Sequence, residues 1–199
     1  MQVYKKKFFT SFLLLGIYCM QMFFLTACTS EKKNTGENLL GIPAPDFRLK
    51  DIHGEEVAIS KVKGKVILLR FWSTRCVSCK EEMPKLEASY KKLKEKGFEI
   101  LAVNVEDPLE KAMDFAHELN LTYPILIDED QKAANQYKVF GVPTSFFIDK
   151  EGVVRGRVFG ELDEKGIENI VVPLLEGIAL APRIKEEKNE EVHNHSNHQ

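Results

Sequence analysis

Two cysteines separated by two residues are the most reactive feature of the sequence. Cys76 and Cys79 directly follow a nearly continuous apolar run, residues 65–71, which predicts a strand buried on both faces. The spacing predicts that the pair begins the next helix, whose N-terminal end carries about half a positive charge and favours a thiolate. Cys76 is then the attacking group, and Cys79, one helical turn later, can resolve a mixed disulfide.

Other uses of a C-x-x-C pair fit the surrounding residues less well. A structural zinc site needs two further Cys or His ligands at suitable spacing, and none stands near this pair. A c-type haem attachment needs a histidine after the second cysteine, where the sequence has Lys80. We therefore expect neither a metal nor a cofactor here, while a merely structural disulfide remains an alternative.

Strand-like and helix-like periodicities alternate around the pair. They predict a hairpin over residues 47–59 and strands over 65–71, 98–104, 124–127, 144–148 and 153–159. They also predict helices over 109–119 and 167–175, and a first helix that the cysteine pair opens and Gly97 ends, with an apolar stripe of Met83, Leu86, Tyr90 and Leu93. Strands that alternate with helices, followed by a terminal hairpin, predict an α/β fold with a central mixed β-sheet flanked by helices.

The segment around the cysteines resembles the thioredoxin superfamily. Residues 71–84, FWSTRCVSCKEEMP, and residues 141–144, GVPT, are most similar to the membrane-tethered TlpA/ResA-type thiol-disulfide oxidoreductases. The resemblance covers roughly residues 40–178, including the APDF sequence at residues 44–47. It implies a thioredoxin-like fold over residues 41–180, with an N-terminal β-hairpin and a strand-helix insertion after Val105.

The resemblance also implies a redox-active disulfide between the two cysteines and a loop that meets the substrate. It implies that the Val142–Pro143 bond is cis. It also implies that the substrate-binding surface includes Trp72, Val142, Pro143 and Thr144. An extended substrate would pair with exposed backbone groups of Val142 by strand addition. The residues alone would leave an ordinary trans bond before the strand as the favoured interpretation.

Glu82 is a candidate proton relay. It follows Cys79 by three residues and so shares its helix face, and ResA-like proteins carry a glutamate near the cysteines at this position. Glu81 is the competing candidate, and an exposed acid without a role is the alternative.

Two arginines depart from the family pattern. Arg75 replaces the aromatic residue usual before the first cysteine, and Arg70 stands where thioredoxins carry a buried acid. Because a buried guanidinium needs a partner, we expect Arg70 to pair with Glu82 and to lower the pKa of that carboxyl. Both arginines would favour the Cys76 thiolate. The alternative is that Arg70 extends its head to solvent.

The N-terminus predicts export. Three lysines, residues 5–7, precede residues 8–27, which contain no charge, as in a signal sequence. Positive residues stay in the cytoplasm, so the rest of the chain is expected on the extracytoplasmic side. Residues 25–28, LTAC, resemble a bacterial lipoprotein signal, which implies removal of residues 1–27 and lipidation of Cys28. An uncleaved anchor is the alternative, since about 20 apolar residues span a bilayer.

Polar segments flank the predicted domain. Residues 28–40 are predicted to be a flexible tether and residues 181–199 a disordered tail. The tail carries His193, His195 and His198, which could bind a metal ion without a preformed site.

The charge balance excludes one class of partner. The 28 basic and 30 acidic residues leave a net charge of −2, and the three lysines of the signal account for part of the basic total. A nucleic-acid partner is therefore not expected.

These observations predict a lipid-anchored, extracytoplasmic oxidoreductase of the cell membrane. The resemblance implies a reductase of protein disulfides, in cytochrome c maturation or cell-envelope redox homeostasis, supplied with electrons by a membrane donor of the CcdA/DsbD type. Two alternatives remain. A peroxiredoxin-like thiol peroxidase would carry Pro and Thr where Leu69 and Ser73 stand. A metal-carrier lipoprotein would use the cysteines or the histidine tail.

Overall fold

A computed structural model describes residues 39–178 and 183–185 of the chain. The helices and strands of the described residues, in chain order, are β1 Arg48–Asp51, β2 Glu56–Ala58, β3 Val66–Trp72, α1 Val77–Leu93, β4 Phe98–Val105, α2 Leu109–Glu118, β5 Ile125–Asp128, α3 Lys132–Gln136, β6 Thr144–Ile148, β7 Val154–Phe159, α4 Glu164–Leu175 and β8 Arg183–Lys185.

The described strands form one mixed sheet in the order β2-β1-β5-β4-β3-β6-β7-β8. Strand β3 runs parallel to β4 and antiparallel to β6, and β1 and β2 form the N-terminal hairpin. The predicted fold class, a central mixed sheet flanked by helices, is confirmed. Between β4 and β6 lie α2, β5 and α3, the region of the predicted strand-helix insertion.

Strand β3 separates two apolar cores. Every residue of β3 and of β4 is buried, as expected for strands covered on both faces. Because side chains alternate along a strand, Leu68 and Trp72 face one core with α1, α2 and α4. Leu69 and Phe71 face the other, with α3. Arg70 belongs to the first series, so its side chain enters the core beneath α1.

Helix α1 carries the cysteine pair and lies against this first core. Met83, Leu86, Tyr90 and Leu93, the predicted apolar stripe, are all buried, and Cys79 is buried on the same helix. A short 3-10 turn and Gly97, whose φ of 94° is the left-handed conformation, end the helix as predicted.

The folded domain extends beyond both predicted ends, residues 41 and 180. Leu39 is buried in the core on the α3 face, so the prediction of a tether through residue 40 is wrong at its C-terminal end. Residues 183–185 pair with β7 as β8, so the prediction of disorder from residue 181 is wrong for these three. Without β8, one edge of strand β7 would have unpaired backbone groups, which favours pairing with residues 183–185. The amino-acid composition of these residues does not reveal that pairing.

Several predictions concern residues outside those described. They are the signal peptide, the lipidation of Cys28, most of the tether and the histidine tail. Among the residues that the structure describes, no helix is long and apolar enough to cross a membrane.

Candidate redox-active site

A disulfide joins Cys76 and Cys79 at the start of α1. Their Cα atoms lie 5.2 Å apart, and Cys76 caps the helix, accepting a hydrogen bond from the Cys79 N–H at 3.2 Å. Cys76 is partly exposed and Cys79 is fully buried. An incoming sulfur can therefore reach Cys76 but not Cys79. The Ser78 hydroxyl lies 3.5 Å from the Cys76 sulfur and is its nearest polar side chain in the described contacts.

Asp107 anchors the loop that leads into the cysteines. Its carboxylate accepts hydrogen bonds from the Thr74 N–H at 2.6 Å, the Thr74 hydroxyl at 2.9 Å and the Asn104 amide at 3.0 Å. Burial acts to raise the pKa of Asp107, but the bonds from Thr74 and Asn104 outweigh it and hold the pKa below its usual value. No motif in the sequence marks Asp107 as part of the site. The signal that could have found it is an acid two residues after the carboxyl end of a buried strand.

Arg75 forms an ion pair at the surface. Its guanidinium lies 2.9 Å from Glu106, and both side chains are exposed. The two line an open groove of 730 Å³ together with Cys76, Val77 and Val142. A partner therefore already pairs with this cation in solvent, where an ion pair is weak. The effect of Arg75 on a Cys76 thiolate stays a prediction.

The loop before β6 faces the same groove. The Val142–Pro143 bond is cis, as the resemblance implied. The Thr144 hydroxyl donates to the Gly141 carbonyl at 2.6 Å, and the Gly160 N–H donates to the Pro143 carbonyl at 2.9 Å, so the loop is held from two sides. Within the described part of the chain, the Val142 backbone forms no hydrogen bond, which leaves it free to pair with an extended peptide.

Two residues predicted to contact substrate are fully buried. Trp72 packs against Phe115 with ring centroids 4.8 Å apart, in the cluster that contains Cys79. Thr144 is buried within the sheet, where it fixes the proline loop. The prediction of substrate contact is wrong for these two side chains, because the helices and strands that cover them leave no access. They position the site instead.

Arg70 and Glu82 form a buried ion pair. Both side chains are 0% exposed, and the Arg70 Nη2 group donates to Glu82 Oε2. The Nη1 group donates to the Ser145 hydroxyl at 2.8 Å and to the Gly160 carbonyl at 3.1 Å. The predicted pairing is confirmed, and the alternative of a solvent-exposed Arg70 is wrong.

The effect of this pair on Glu82 is opposite to the one predicted. Burial raises the pKa of Glu82 to about 7, although Arg70 and the Leu162 amide act to lower it. Burial also lowers the pKa of Arg70 to about 10, which still leaves the guanidinium charged at neutral pH. Removing the carboxylate from water therefore outweighs the attraction of its partner. Glu82 is poised to gain or lose a proton near neutral pH. Glu81, the competing candidate, is exposed and lines the groove.

The fold and the site define a class of protein. A helix that begins with a disulfide, on a sheet of this order and beside a cis-proline loop, is the arrangement of thioredoxin-like thiol-disulfide oxidoreductases, as the sequence resemblance implied. The chain belongs to the AhpC/TSA family, whose sequence model matches residues 40–157.

Similar proteins carry the same description of activity. A thiol-disulfide oxidoreductase ResA of Geobacillus kaustophilus is 42% identical over 129 residues, which are 65% of this chain and 74% of that one. A ResA of Bacillus subtilis is 34% identical over 167 residues, 82% and 92% of the two chains. A crystal structure from Chlorobium tepidum, described as a thiol:disulfide interchange protein DsbE, superposes with a TM-score of 0.65 at 32% identity. It covers 68% of this chain and 97% of its own. The protein is a ResA-like thiol-disulfide oxidoreductase.

Proposed function

We propose that this chain reduces disulfides of extracytoplasmic proteins through Cys76 and Cys79 while anchored to a membrane. The observation that carries the proposal is the unequal exposure of the two sulfurs. Cys76 opens to the groove that Val142 also lines, whereas Cys79 is fully buried one turn along the helix. Such a pair presents one sulfur to the substrate and keeps the other for resolution.

The proposed reaction exchanges one disulfide for another. In the reduced protein, the Cys76 thiolate attacks a substrate sulfur, forms a mixed disulfide and releases one substrate thiolate. Cys79, deprotonated, then attacks the Cys76 sulfur, closes the Cys76–Cys79 disulfide and releases the second substrate thiolate. Two electrons pass to the substrate. Cys76 has already released its proton to solvent, Glu82 takes the Cys79 proton and later returns it to solvent, and the two released thiolates each take one proton from solvent, so that two protons leave the dithiol and two reach the substrate.

Glu82 is the proposed acceptor of the Cys79 proton. It lies one helical turn from Cys79, and burial brings its pKa to about 7, near the pH at which proton transfer must occur. Arg70 donates to one carboxylate oxygen, Oε2, and not to Oε1. Oε1 is therefore the oxygen proposed to take the proton.

The direction of exchange and the partners rest on the resemblance. Reduction fits the ResA relatives, and the N-terminal end of α1 favours a thiolate at Cys76. We propose protein disulfides as substrates, apocytochrome c among them, or a wider role in envelope redox homeostasis. A membrane protein of the CcdA/DsbD type is the proposed electron donor.

Trapping tests the exchange reaction. We expect a Cys79→Ala variant, expressed in cells, to accumulate mixed disulfides with its partners because no second thiol can resolve them. Non-reducing electrophoresis followed by mass spectrometry of reduced bands would show the partners, and a Cys76→Ala/Cys79→Ala double variant is the matched control. Absence of any band that depends on Cys76 would contradict the proposal.

The membrane anchor is proposed from Cys28 and the apolar run before it. We expect the mature protein to begin at Cys28 and to carry acyl groups on its sulfur and N-terminus. Intact-mass analysis of the purified membrane protein measures both features, and a Cys28→Ala variant should lose the acyl mass. A mature chain that begins before residue 28, or that lacks acyl mass, would rule the lipid anchor out.

The two alternatives have weaker support. Leu69 is fully buried in β3 and Ser73 follows the strand, so the positions where a peroxidase of this fold carries Pro and Thr hold neither residue. The metal-carrier alternative depends on the histidine tail, which lies outside the described residues. Within the described residues, no cluster of three or more His, Cys, Asp and Glu side chains could hold a metal ion.

A further inference from the structure

Arg70 contacts three separate parts of the redox site. Its guanidinium donates to Glu82 on α1, to Ser145 on β6 and to the Gly160 carbonyl at the end of β7, and the whole side chain is 0% exposed. A buried arginine is costly unless its donors are paired, and here both terminal groups are paired, while Nε has no partner among the described residues. The bonds from the two terminal groups link the three segments to one another.

Two of these contacts lead to the cis-proline loop. Ser145 lies two residues after Pro143 on the same strand. Gly160 is bound twice, because its carbonyl accepts from Arg70 and its N–H donates to the Pro143 carbonyl at 2.9 Å. The third contact, Glu82, lies one turn after Cys79. The same side chain therefore contacts the helix that carries the disulfide and the segments that hold the loop facing it.

We propose that Arg70 is a positioning residue that fastens the disulfide-bearing helix to the cis-proline loop and sets the charge state of the carboxyl group beside Cys79. The proposal deepens the disulfide exchange proposed above and rests on it for its functional consequence. The effects of Arg70 on the alignment of the loop and on the charge of Glu82 can be measured without any assay of disulfide exchange.

Lysine could not replace Arg70 in this role. The planar guanidinium presents separate N–H groups to Glu82 and to the pair formed by Ser145 and Gly160. The lysine ammonium is a single point charge on a flexible chain, which can retain the ion pair with Glu82 but cannot present separately directed N–H groups to the two sides. The two functions of Arg70, charge and alignment, can therefore be separated by substitution.

Several ionisable groups influence Glu82 and must be considered in any titration. They come from the elements packed around it: Arg70 on β3, Tyr123 before β5, Glu161 after β7, and Cys79 and Lys85 on its own helix. The oxidised protein is the right state for the measurement, because its cysteines do not titrate. Arg70 is then the nearest cation and the one that the substitutions change.

The first experiment titrates the oxidised protein, with the fluorescence of Trp72, the single tryptophan of the chain, as the reporter. Trp72 lies in the same buried cluster as Cys79. The fluorescence change with pH that disappears in a Glu82→Gln variant is assigned to the titration of Glu82. We expect Arg70→Met to raise its midpoint by about 1–3 pH units, because a nearby opposite charge lowers a carboxyl pKa by this amount. Arg70→Lys should keep the midpoint closer to the wild-type value. A wild-type midpoint in Arg70→Met would overturn the proposed control of charge, since a purely structural loss would not move it upward.

The second experiment measures alignment by hydrogen exchange at the Gly160 amide, followed by NMR. We expect exchange to be at least about tenfold faster in Arg70→Met and Arg70→Lys, because local opening of the loop becomes easier. Ser145→Ala is the matched control, which removes one bond and should leave the Glu82 midpoint unchanged. Unchanged exchange in both Arg70 variants would overturn the fastening role.

A third comparison links the geometry to function. Arg70→Met should slow the reduction of insulin by about tenfold relative to the reduction of oxidised glutathione, because misplacement of the loop affects an extended substrate more than a small one.

If the wild type reduces neither disulfide, the proposed function fails, while the titration and hydrogen exchange still decide the role of Arg70. If Arg70→Met does not fold, Arg70→Met/Glu82→Gln removes the unpaired carboxylate and allows the hydrogen-exchange measurement. Arg70→Gln, a polar but uncharged replacement, then takes the place of Arg70→Met in the titration, and a wild-type midpoint in that variant would overturn the proposed control of charge. A fall of equal size for both disulfides would contradict the link to the loop.

Discussion

Disulfide reduction should fall to background when Cys76 is replaced by alanine. Cys76 is the only sulfur of the pair that a substrate can reach, since Cys79 is fully buried, and its thiolate is the group that attacks the substrate disulfide in the proposed exchange. The measurement is the rate at which the purified, dithiothreitol-reduced protein reduces insulin, followed by single-turnover kinetics. The expected loss is complete, because Cys79 cannot substitute for Cys76 without opening of the helix N-terminus.

A Ser78→Ala variant is the matched control for the loss of Cys76. It alters a neighbour whose hydroxyl lies 3.5 Å from the Cys76 sulfur but leaves both cysteines in place. Because one hydrogen bond contributes about 0.5–1.5 kcal/mol net, its rate should change by no more than about tenfold. Substantial insulin reduction by Cys76→Ala would show that another group attacks, and the assigned roles of the two cysteines would be wrong.

Glu82 should make the oxidised protein less stable as the pH rises through the mildly acidic range. Burial raises the pKa of Glu82 from the ordinary 4.5 to about 7, so between these values the folded protein binds a proton that the unfolded chain has lost. The free energy of unfolding then decreases with increasing pH, and the loss is complete above the folded-state pKa. Its size is on the order of 3 kcal/mol, since each pKa unit corresponds to about 1.4 kcal/mol.

The Glu82→Gln variant isolates this contribution. Glutamine keeps an oxygen near Arg70 but cannot ionise, so the difference in stability between pH 4.5 and pH 8 should change by about 3 kcal/mol relative to the wild type. Urea unfolding of the disulfide-bonded protein across this range measures it. Glu81→Gln, which alters the exposed neighbouring acid, should keep the wild-type difference. Parallel pH profiles for Glu82→Gln and the wild type would mean that Glu82 does not titrate in this window.

Local patterns predicted most of the elements that position the site. The apolar run that became β3 and the three-and-four spacing of α1 are strong signals, because burial on two faces or along one stripe needs those residues. Helix α3 was missed, because five residues are too few to show a helical period. The cis bond at Pro143 came from the resemblance alone, since the residues by themselves favour an ordinary trans bond.

The candidate site was predicted to a similar extent. Cys76 and Cys79 were evident from their spacing, and the pairing of Arg70 with Glu82 followed from the physical need of a buried cation. The anchoring of Thr74 by Asp107 was not found, because it joins residues 33 positions apart through two loops. Trp72 and Thr144 were assigned to the surface of the site and proved to be buried behind it.

Residue types and spacing specify the chemistry available to this protein: a dithiol at the start of a helix, a carboxyl group one turn later and an unusual arginine on the preceding strand. The folded arrangement was needed to show which sulfur a substrate can reach and in which direction the pKa of Glu82 moves. The reason is that residue types and spacing specify charges and neighbours along one element. Exposure and desolvation depend on everything that packs around them, and for Glu82 desolvation outweighs the attraction of Arg70.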